Sequence, residues 1–341
     1  MPEPHRTRIS ADVDFEKDGM QHDFLRLFHS THASAYGFIP IPIVVVKNGA
    51  GPTALFLSGN HGDEYEGQVA LCNLVKWLAP QKIKGRVIIL PAANFPAALA
   101  GRRVSPIDDA NLNRSFPGSP DGTVTQQIAF YIENELIPRA DLVCDLHSGG
   151  SSLMYLPSAL IKRSADPARM AKLMAALEAF GAPRAYIAEG TQGQGGDVTA
   201  TGGAERKGVP MVGTELGGSG TVTPAALAIA ERGVRNLLVH TGILPASERI
   251  APPEPTRLLE VGGADYFTYA SESGVFEPLA VLGETVAAGQ PAARIHFPET
   301  PWAPPAELRF QRAGLVLCQR IPGRTARGDC LFHLATDARR P

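Results

Sequence analysis

Two histidines and one glutamate of this chain have the types and spacing of a zinc site. His61 and Glu64 lie three residues apart, where a strand-like run gives way to a helical pattern, so one turn could bring both onto one ion. His147 follows another apolar run and could supply a third ligand. Zinc with three such ligands keeps a fourth position for water, whose pKa falls to about 7. The set predicts one catalytic zinc ion per chain, although H-x-x-E alone also occurs at ordinary helix starts.

A third apolar run ends on an acidic residue. Glu215 stands in the sequence Gly-Thr-Glu-Leu-Gly-Gly of residues 213–218, and a charge at the end of such a run has few structural reasons. Hydrolysis needs a carboxylate that takes a proton from water and passes it to the departing amine, so Glu215 is the candidate general base. The plainer interpretation is a solvated loop carboxylate. Asp145, two residues before His147, is a candidate partner that would orient the imidazole.

The segment 101–114 is rich in groups that bind anions. It carries Arg102, Arg103, Asn113 and Arg114 within a short span. Guanidinium and amide groups suit two tasks, which are clamping a substrate carboxylate and polarising the carbonyl of the bond to be cut. On composition alone, a solvated basic loop is an equally good interpretation.

Strand-like and helical segments alternate along the first two thirds of the chain. The strand-like runs are residues 42–47, 53–58, 86–90, 141–146, 184–188 and 210–214, and helical patterns extend to residue 77 and over 125–137, 167–180 and 224–244. This alternation predicts an α/β fold with a mostly parallel sheet flanked by helices. Ligands bind beyond the carboxyl ends of strands in such sheets, which is where the three polar clusters fall. The glycine-rich segment 190–203 is predicted to be a loop that could cover a cleft.

The composition and the apolar pattern of the sequence change after residue 245. Residues 246–255 are rich in proline and charge and are predicted to be a linker between a catalytic domain, residues 1–245, and a smaller domain, residues 256–341. The smaller domain has short apolar runs with frequent glycine and proline, which predicts a β-rich module. Residues 274–290 resemble the turn pattern of the lipoyl-like barrel-sandwich fold, but no carrier lysine is present, which favours a structural or covering role.

Composition narrows the classes of partner. The 32 basic and 34 acidic residues give a formal charge of -2, so there is no general electrostatic attraction to nucleic acid or anionic membrane. We expect a small-molecule partner and leave a homo-oligomer open. The polar N-terminus has no signal-peptide pattern and no apolar stretch is long enough for a membrane helix, while the four cysteines are spread without a C-x-x-C pair. These features predict a cytoplasmic protein with reduced thiols.

Four motifs occur in one order within residues 58–220: G-N-H-G-D-E, N-L-N-R, D-L-H-S-G and T-E-L-G-G. This ordered set resembles the succinylglutamate desuccinylase/aspartoacylase family, which is related to zinc carboxypeptidases. The resemblance implies roles for the residues named above: zinc ligands His61, Glu64 and His147, general base Glu215, and carboxylate-binding residues Asn113 and Arg114.

Arg103 matches the family's arginine that polarises the scissile carbonyl. Three extra residues before Asn113, compared with aspartoacylase, leave Arg102 as the alternative. The resemblance also implies a zinc-carboxypeptidase-like α/β domain followed by a β-rich C-terminal domain, in agreement with the change of composition after residue 245. Within the family, residues 59–67 and 105–118 are most similar to the N-acetyl-2,4-diaminobutanoate deacetylases of ectoine degradation.

The expected activity is therefore hydrolysis of the amide bond of a small N-acyl amino acid. Deacetylation of N-acetyl-2,4-diaminobutanoate is the first expectation, and a desuccinylase or aspartoacylase-type deacylase is the alternative within the family. A carboxypeptidase would use the same metal chemistry but would need an open cleft. A binding protein without turnover is a further alternative, against which the intact set of ligands and base argues.

Overall fold

The computed structural model describes residues 7–189 and 196–340. The strands in this part of the chain are β1 Ile9–Ala11, β2 Gly19–Phe28, β3 Phe38–Asn48, β4 Thr53–Ser58, β5 Gly85–Leu90, β6 Leu142–Leu146, β7 Leu153–Tyr155, β8 Ser158–Lys162, β9 Arg184–Ala188, β10 Met211–Glu215, β11 Arg257–Val261, β12 Phe267–Tyr269, β13 Gly274–Pro278, β14 Thr285–Val286, β15 Pro291–His296, β16 Ala306–Arg309, β17 Gly314–Arg320, β18 Arg324–Thr325 and β19 Cys330–Asp337.

Helices connect the strands of the first two thirds of the chain. The α-helices are α1 Tyr65–Trp77, α2 Phe95–Ala100, α3 Val124–Tyr131, α4 Pro167–Phe180, α5 Ala200–Arg206 and α6 Pro224–His240. A π-turn covers Ile132–Leu136, and single 3-10 turns cover Pro80–Lys82, Leu112–Arg114, Ile137–Arg139, Gly196–Val198, Ala246–Glu248 and Ala264–Tyr266. No helix of the described ranges combines the length and apolar character needed to cross a lipid bilayer.

The central sheet is mixed, with a parallel middle. Its strands run in the order β1-β2-β3-β5-β4-β6-β10-β8-β9-β11-β19-β17-β14. Strands β5, β4, β6 and β10 are parallel to one another, whereas β3 is antiparallel to β5 and β8 is antiparallel to β10. The carboxyl ends of β4, β6 and β10 therefore meet at one edge of the sheet. The predicted α/β fold, with helices on the sheet and a smaller β-rich C-terminal part, is confirmed.

Strand β4 shows how the two faces of this sheet are covered. All six of its residues are buried, and its four apolar residues alternate between two apolar cores. Ala54 and Phe56 pack in the core formed with α1, α4 and α6, while Leu55 and Leu57 pack in the core formed with α3 and α5. A strand buried on both faces has little freedom to move, so it fixes the position of the residues that follow it.

Some elements differ from the sequence-based prediction. Helix α3 ends at Tyr131 and passes through a π-turn into a 3-10 turn that contains Pro138, since proline has no N–H to continue a helical ladder. Of the segment predicted as a glycine-rich loop, residues 190–195 lie outside the described part of the chain. The rest is not all loop, because α5 begins at Ala200, where the Thr199 side chain caps it by accepting from Gly202 N–H.

The C-terminal part is hydrogen-bonded to the central sheet. Strand β11 pairs in parallel with β9, and β19 continues the sheet beyond β11. A second sheet, in the order β16-β15-β13-β18, is antiparallel and shares an apolar core with β17 and β19. The predicted linker packs on α6, because Asn236 exchanges hydrogen bonds with the backbone of Ile250. The domain boundaries at residues 245 and 256 stay a prediction.

Candidate active site

Three side chains from two neighbouring strand ends form a metal-binding group. His61 lies between β4 and α1, Glu64 immediately precedes α1, and His147 follows β6. Because β4 and β6 are parallel neighbours, with Ser58 paired to Leu146, the residues after each strand come together. One potential ligand atom from each of the three lies within 4.8 Å of the others. The structure thus brings together the three predicted ligands, and the group could hold a metal ion.

The hydrogen bonds around this group orient the imidazoles for a cation. The Nδ1 atoms of His61 and His147 lie 2.6 and 2.8 Å from the two carboxylate oxygens of Glu64. Their Nε2 atoms face acceptors, Asn111 Oδ1 at 3.1 Å and Asp145 Oδ2 at 2.8 Å. An Nε2–H that donates to such an acceptor leaves the Nδ1 lone pair directed at the centre of the group. This donor set of two nitrogens and one carboxylate suits a divalent ion such as zinc.

The electrostatics of the group favour positive charge. Burial alone would raise the pKa of Glu64, but the charges of His61 and His147 lower it overall, so the carboxylate stays ionised. Burial lowers the pKa of His147, yet Asp145 and Glu64 outweigh it and raise that pKa well above its usual value. Two buried carboxylates, Asp145 and Glu64, therefore contact His147 and favour its protonated form. A bound cation would supply the positive charge that the proton otherwise supplies.

Glu215 lies beside the metal-binding group at the end of β10. It borders the same cavity, and its Oε2 is buried with no hydrogen-bond partner among the described residues. Burial raises the pKa of Glu215 well above its usual value, and the negative charge of Glu64 adds to this effect. A carboxylate in such surroundings takes up a proton more readily than one in water.

The structure separates the two adjacent arginines of segment 101–114. Arg103 borders the cavity, and its Nη1 lies 3.4 Å from Glu64 Oε1. The Arg102 side chain is exposed and is not among the described residues that line the cavity, whereas its backbone carbonyl accepts from Gly62 N–H. Geometry therefore gives Arg103, and not Arg102, access to a bound ligand.

Asn113 and Arg114 reach the cavity from the 3-10 turn Leu112–Arg114. The side-chain oxygen of Asn113 accepts from Ala200 N–H at 2.9 Å, which leaves the amide N–H groups to donate elsewhere. Arg114 donates to its neighbour's backbone carbonyl and makes no ion pair with a carboxylate in the described ranges. Partial burial and the nearby Arg103 lower the pKa of Arg114. An unpaired guanidinium beside a free amide is suited to an anionic ligand.

A second wall of the cavity was not foreseen from the sequence. The cavity holds about 440 Å³, and side chains from the C-terminal part and from β7 and β9 line it. We call the following ring-bearing residues the aromatic wall: Tyr155, Tyr186, Phe267, Tyr269 and His333. The local sign in the sequence was a histidine inside the apolar run 331–335. The wall itself is assembled by pairing between strands that lie far apart in the chain.

Asp145 was expected to orient His147, and it contacts that ring as described above. Asn111, which holds His61, and Asp63 were not predicted. Asp63 Oδ2 accepts from Ser151 N–H at 2.8 Å and so ties the loop after His147 to the loop that carries His61. Asp63 belongs to the motif G-N-H-G-D-E and Asn111 to the motif N-L-N-R, so both motifs carried a signal that the prediction used only for their other residues.

Comparison with known proteins gives consistent matches. Residues 50–241 match the succinylglutamate desuccinylase/aspartoacylase catalytic domain. An N-alpha-acetyl-L-2,4-diaminobutyric acid deacetylase of Halomonas elongata is 44% identical over 327 residues, which cover 96% of this chain and 94% of that protein.

Solved structures extend the similarity over almost the whole chain. A product-bound ectoine utilization protein from Ruegeria pomeroyi has a TM-score of 0.92 and 42% identity, covering 97% of this chain and 99% of that one. A succinylglutamate desuccinylase/aspartoacylase from Rhodobacter sphaeroides has a TM-score of 0.91 and 40% identity, covering 97% and 100%. The similarity includes the C-terminal part that supplies the aromatic wall.

Proposed function

Because the chain belongs to the succinylglutamate desuccinylase/aspartoacylase family, we propose that it removes the acetyl group from Nα-acetyl-2,4-diaminobutanoate. The observation that carries this proposal is the 44% identity, over 96% of the chain, to a deacetylase of that compound. The small cavity with a cation-binding group on one wall supports hydrolysis of a small amide.

The proposed cofactor is one zinc ion, held by His61, Glu64 and His147. Two observations support it. The donor set consists of two imidazole nitrogens and a carboxylate, and a hydrogen-bond acceptor lies at the Nε2 atom of each imidazole. When bound, such an ion supplies Lewis-acid polarisation of a carbonyl and activation of water near neutral pH.

The remaining roles fall to side chains of the chain itself. Glu215 takes a proton from the attacking water and delivers it to the nitrogen of the departing amine, which its raised pKa favours. Arg103 donates to the carbonyl oxygen as negative charge develops on it. Arg114 and the amide N–H groups of Asn113 bind the substrate carboxylate, which fixes the acyl group near Glu215.

Peptide trimming is less well supported. A carboxypeptidase must admit the end of a long chain through an open cleft, whereas residues of the C-terminal part border this cavity of about 440 Å³. A succinyl or aspartate-based substrate would place a second carboxylate in the cavity, where Lys162, the remaining fixed cation among the described lining residues, is already paired with Glu205 at 2.6 Å.

A substrate screen tests the proposal. Purified, zinc-loaded protein is offered N-acetyl, N-succinyl and N-formyl amino acids with acidic, basic and apolar side chains, and release of the free amine is followed. We expect Nα-acetyl-2,4-diaminobutanoate to give the highest kcat/KM, and metal-stripped protein serves as the blank. No release of amine from any acetylated substrate would refute the proposal. A higher kcat/KM for a succinylated substrate would show that the protein is a desuccinylase instead.

The cytoplasmic location stays a proposal, supported by four cysteines that are all free thiols. The absence of nucleic-acid and membrane partners, and the open question of a homo-oligomer, also stay as predicted from the sequence.

A further inference from the structure

His333 is a buried polar side chain whose hydrogen-bonding groups have no use inside the protein. It is 2% exposed, and neither ring nitrogen has a partner among the described residues. Buried polar groups are nearly always hydrogen-bonded, because leaving them unpaired costs free energy. The ring borders the cavity, so a bound molecule can supply the missing partner.

The surroundings of His333 are rings rather than charges. Phe267 stacks on it with centroids 4.4 Å apart and an interplanar angle of 8°. Tyr155 and Tyr186 approach it edge-on, with centroid distances of 5.9 and 6.2 Å. Burial lowers the pKa of His333 to about 3, so at neutral pH the ring is uncharged and one nitrogen is a hydrogen-bond acceptor.

The charged side chains of the cavity are not part of the aromatic wall. Among the described lining residues, Arg103 and Arg114 lie with the metal-binding group, and Lys162 is paired with Glu205 at 2.6 Å. Asp329 also borders the cavity, but Arg320 already pairs with its carboxylate at 2.9 Å, so the rings and His333 are left to contact a ligand on this side. Aromatic faces and a neutral imidazole acceptor attract an organic cation, whereas they offer little to a second carboxylate.

We propose that His333 and the rings around it form the subsite for the free side-chain ammonium of the substrate, and that this subsite selects the amine. The inference rests on the proposed function, in which the substrate carries a carboxylate at one end and an ammonium at the other. His333 accepts one ammonium N–H, and Phe267, Tyr155 and Tyr186 supply the apolar and cation–π contacts.

The test compares two substrates of the same shape. Nα-acetyl-2,4-diaminobutanoate carries an ammonium where N-acetylnorvaline carries a methyl group. In the His333→Leu variant we expect the ratio of their kcat/KM values to fall roughly 10- to 100-fold, mainly through KM, as for loss of a hydrogen bond to a charged group. The value for N-acetylnorvaline should stay the same or rise. His333→Gln, which keeps an acceptor, should retain most of the preference.

Controls separate a subsite from a structural role. His296→Leu removes a half-exposed histidine of the same part of the chain, paired with Glu277, and should leave the ratio unchanged. Calorimetry should show that wild-type protein binds 2,4-diaminobutanoate more tightly than norvaline, and that His333→Leu loses this difference. If His333→Leu fails to fold, Phe267→Leu, which removes the stacked ring, is expected to lower the ratio several-fold.

An equal loss for both substrates, or an unchanged ratio, would overturn the subsite while leaving the proposed function intact. Such results would assign the aromatic wall to packing or to the acetyl methyl group. Failure of wild-type protein to deacetylate either substrate would instead refute the proposed function, and the subsite with it.

Discussion

Three histidines of the described residues line the cavity, and the protein holds them in two different ways. Every ring nitrogen of His61 and His147 has a partner within the chain. Neither nitrogen of His333 has one among the described residues. A ring whose nitrogens are satisfied by the fold is oriented before any ligand arrives, whereas an unsatisfied ring completes its hydrogen bonds only with a ligand. The difference assigns chemistry to the metal-binding side and recognition to the aromatic wall.

The largest effect is expected from Glu215→Gln. This change keeps the shape of the side chain but removes its ability to carry a proton, so kcat should fall roughly 10²- to 10⁴-fold. Zinc content, measured on the same samples by mass spectrometry, should equal that of wild type. Turnover within a few-fold of wild type would show that Glu215 is not the general base.

The next largest effect distinguishes the two adjacent arginines. Arg103→Ala should lower kcat about 10²-fold or more, because it removes a donor to the developing oxyanion. Arg102→Ala is the matched control and should change kcat/KM less than twofold, since its side chain lies outside the cavity. The reverse outcome would show that the polarising role belongs to Arg102.

A smaller effect is expected from Asp145→Asn. The amide no longer holds a negative charge behind His147, so zinc affinity, measured by competition with a chelator, should fall roughly 10- to 100-fold. Asp166→Asn is the control, because Asp166 only caps α4 and asparagine caps equally well. Unchanged zinc affinity would mean that the contact between Asp145 and His147 does not prepare the ring for metal.

The smallest effect concerns stability in acid. Burial holds the pKa of His333 at about 3, against about 6.5 in an unfolded chain. The unfolded state binds more protons as pH falls below 6.5, so the free energy of unfolding should drop by about 2 kcal/mol between pH 7 and pH 5 from this residue alone. His333→Leu should remove that part of the drop in urea titrations at the two pH values. An identical pH dependence in wild type and variant would contradict a neutral buried ring.

The metal-binding side could be predicted from sequence because short motifs carry it. His61 and Glu64 are three residues apart, and His147 and Glu215 each follow an apolar strand, so the parallel order of β4, β6 and β10 brings them to one edge. The ordered motifs also indicated the family, which the matched domain and the relatives confirm.

The aromatic wall could not be predicted in the same way. Tyr155, Tyr186, Phe267 and His333 come from four strands, and no local pattern encodes the pairing of β12 and β7 with the C-terminal sheet. Strand β8 was missed for a related reason, since its antiparallel contact with β10 depends on distant residues. Pairing between distant segments is settled by packing rather than by local propensity.

The pairing of β11 with β9 bears on how the chain can be divided. Five residue pairs, from Arg257 with Arg184 to Val261 with Ala188, join the two strands in parallel. A protein cut after residue 245 would leave the β9 backbone without these partners and uncover Tyr186, which packs in the C-terminal core. A bare strand of this kind is a template for self-association. The C-terminal part thus covers a strand edge that would otherwise be open, in addition to lining the cavity.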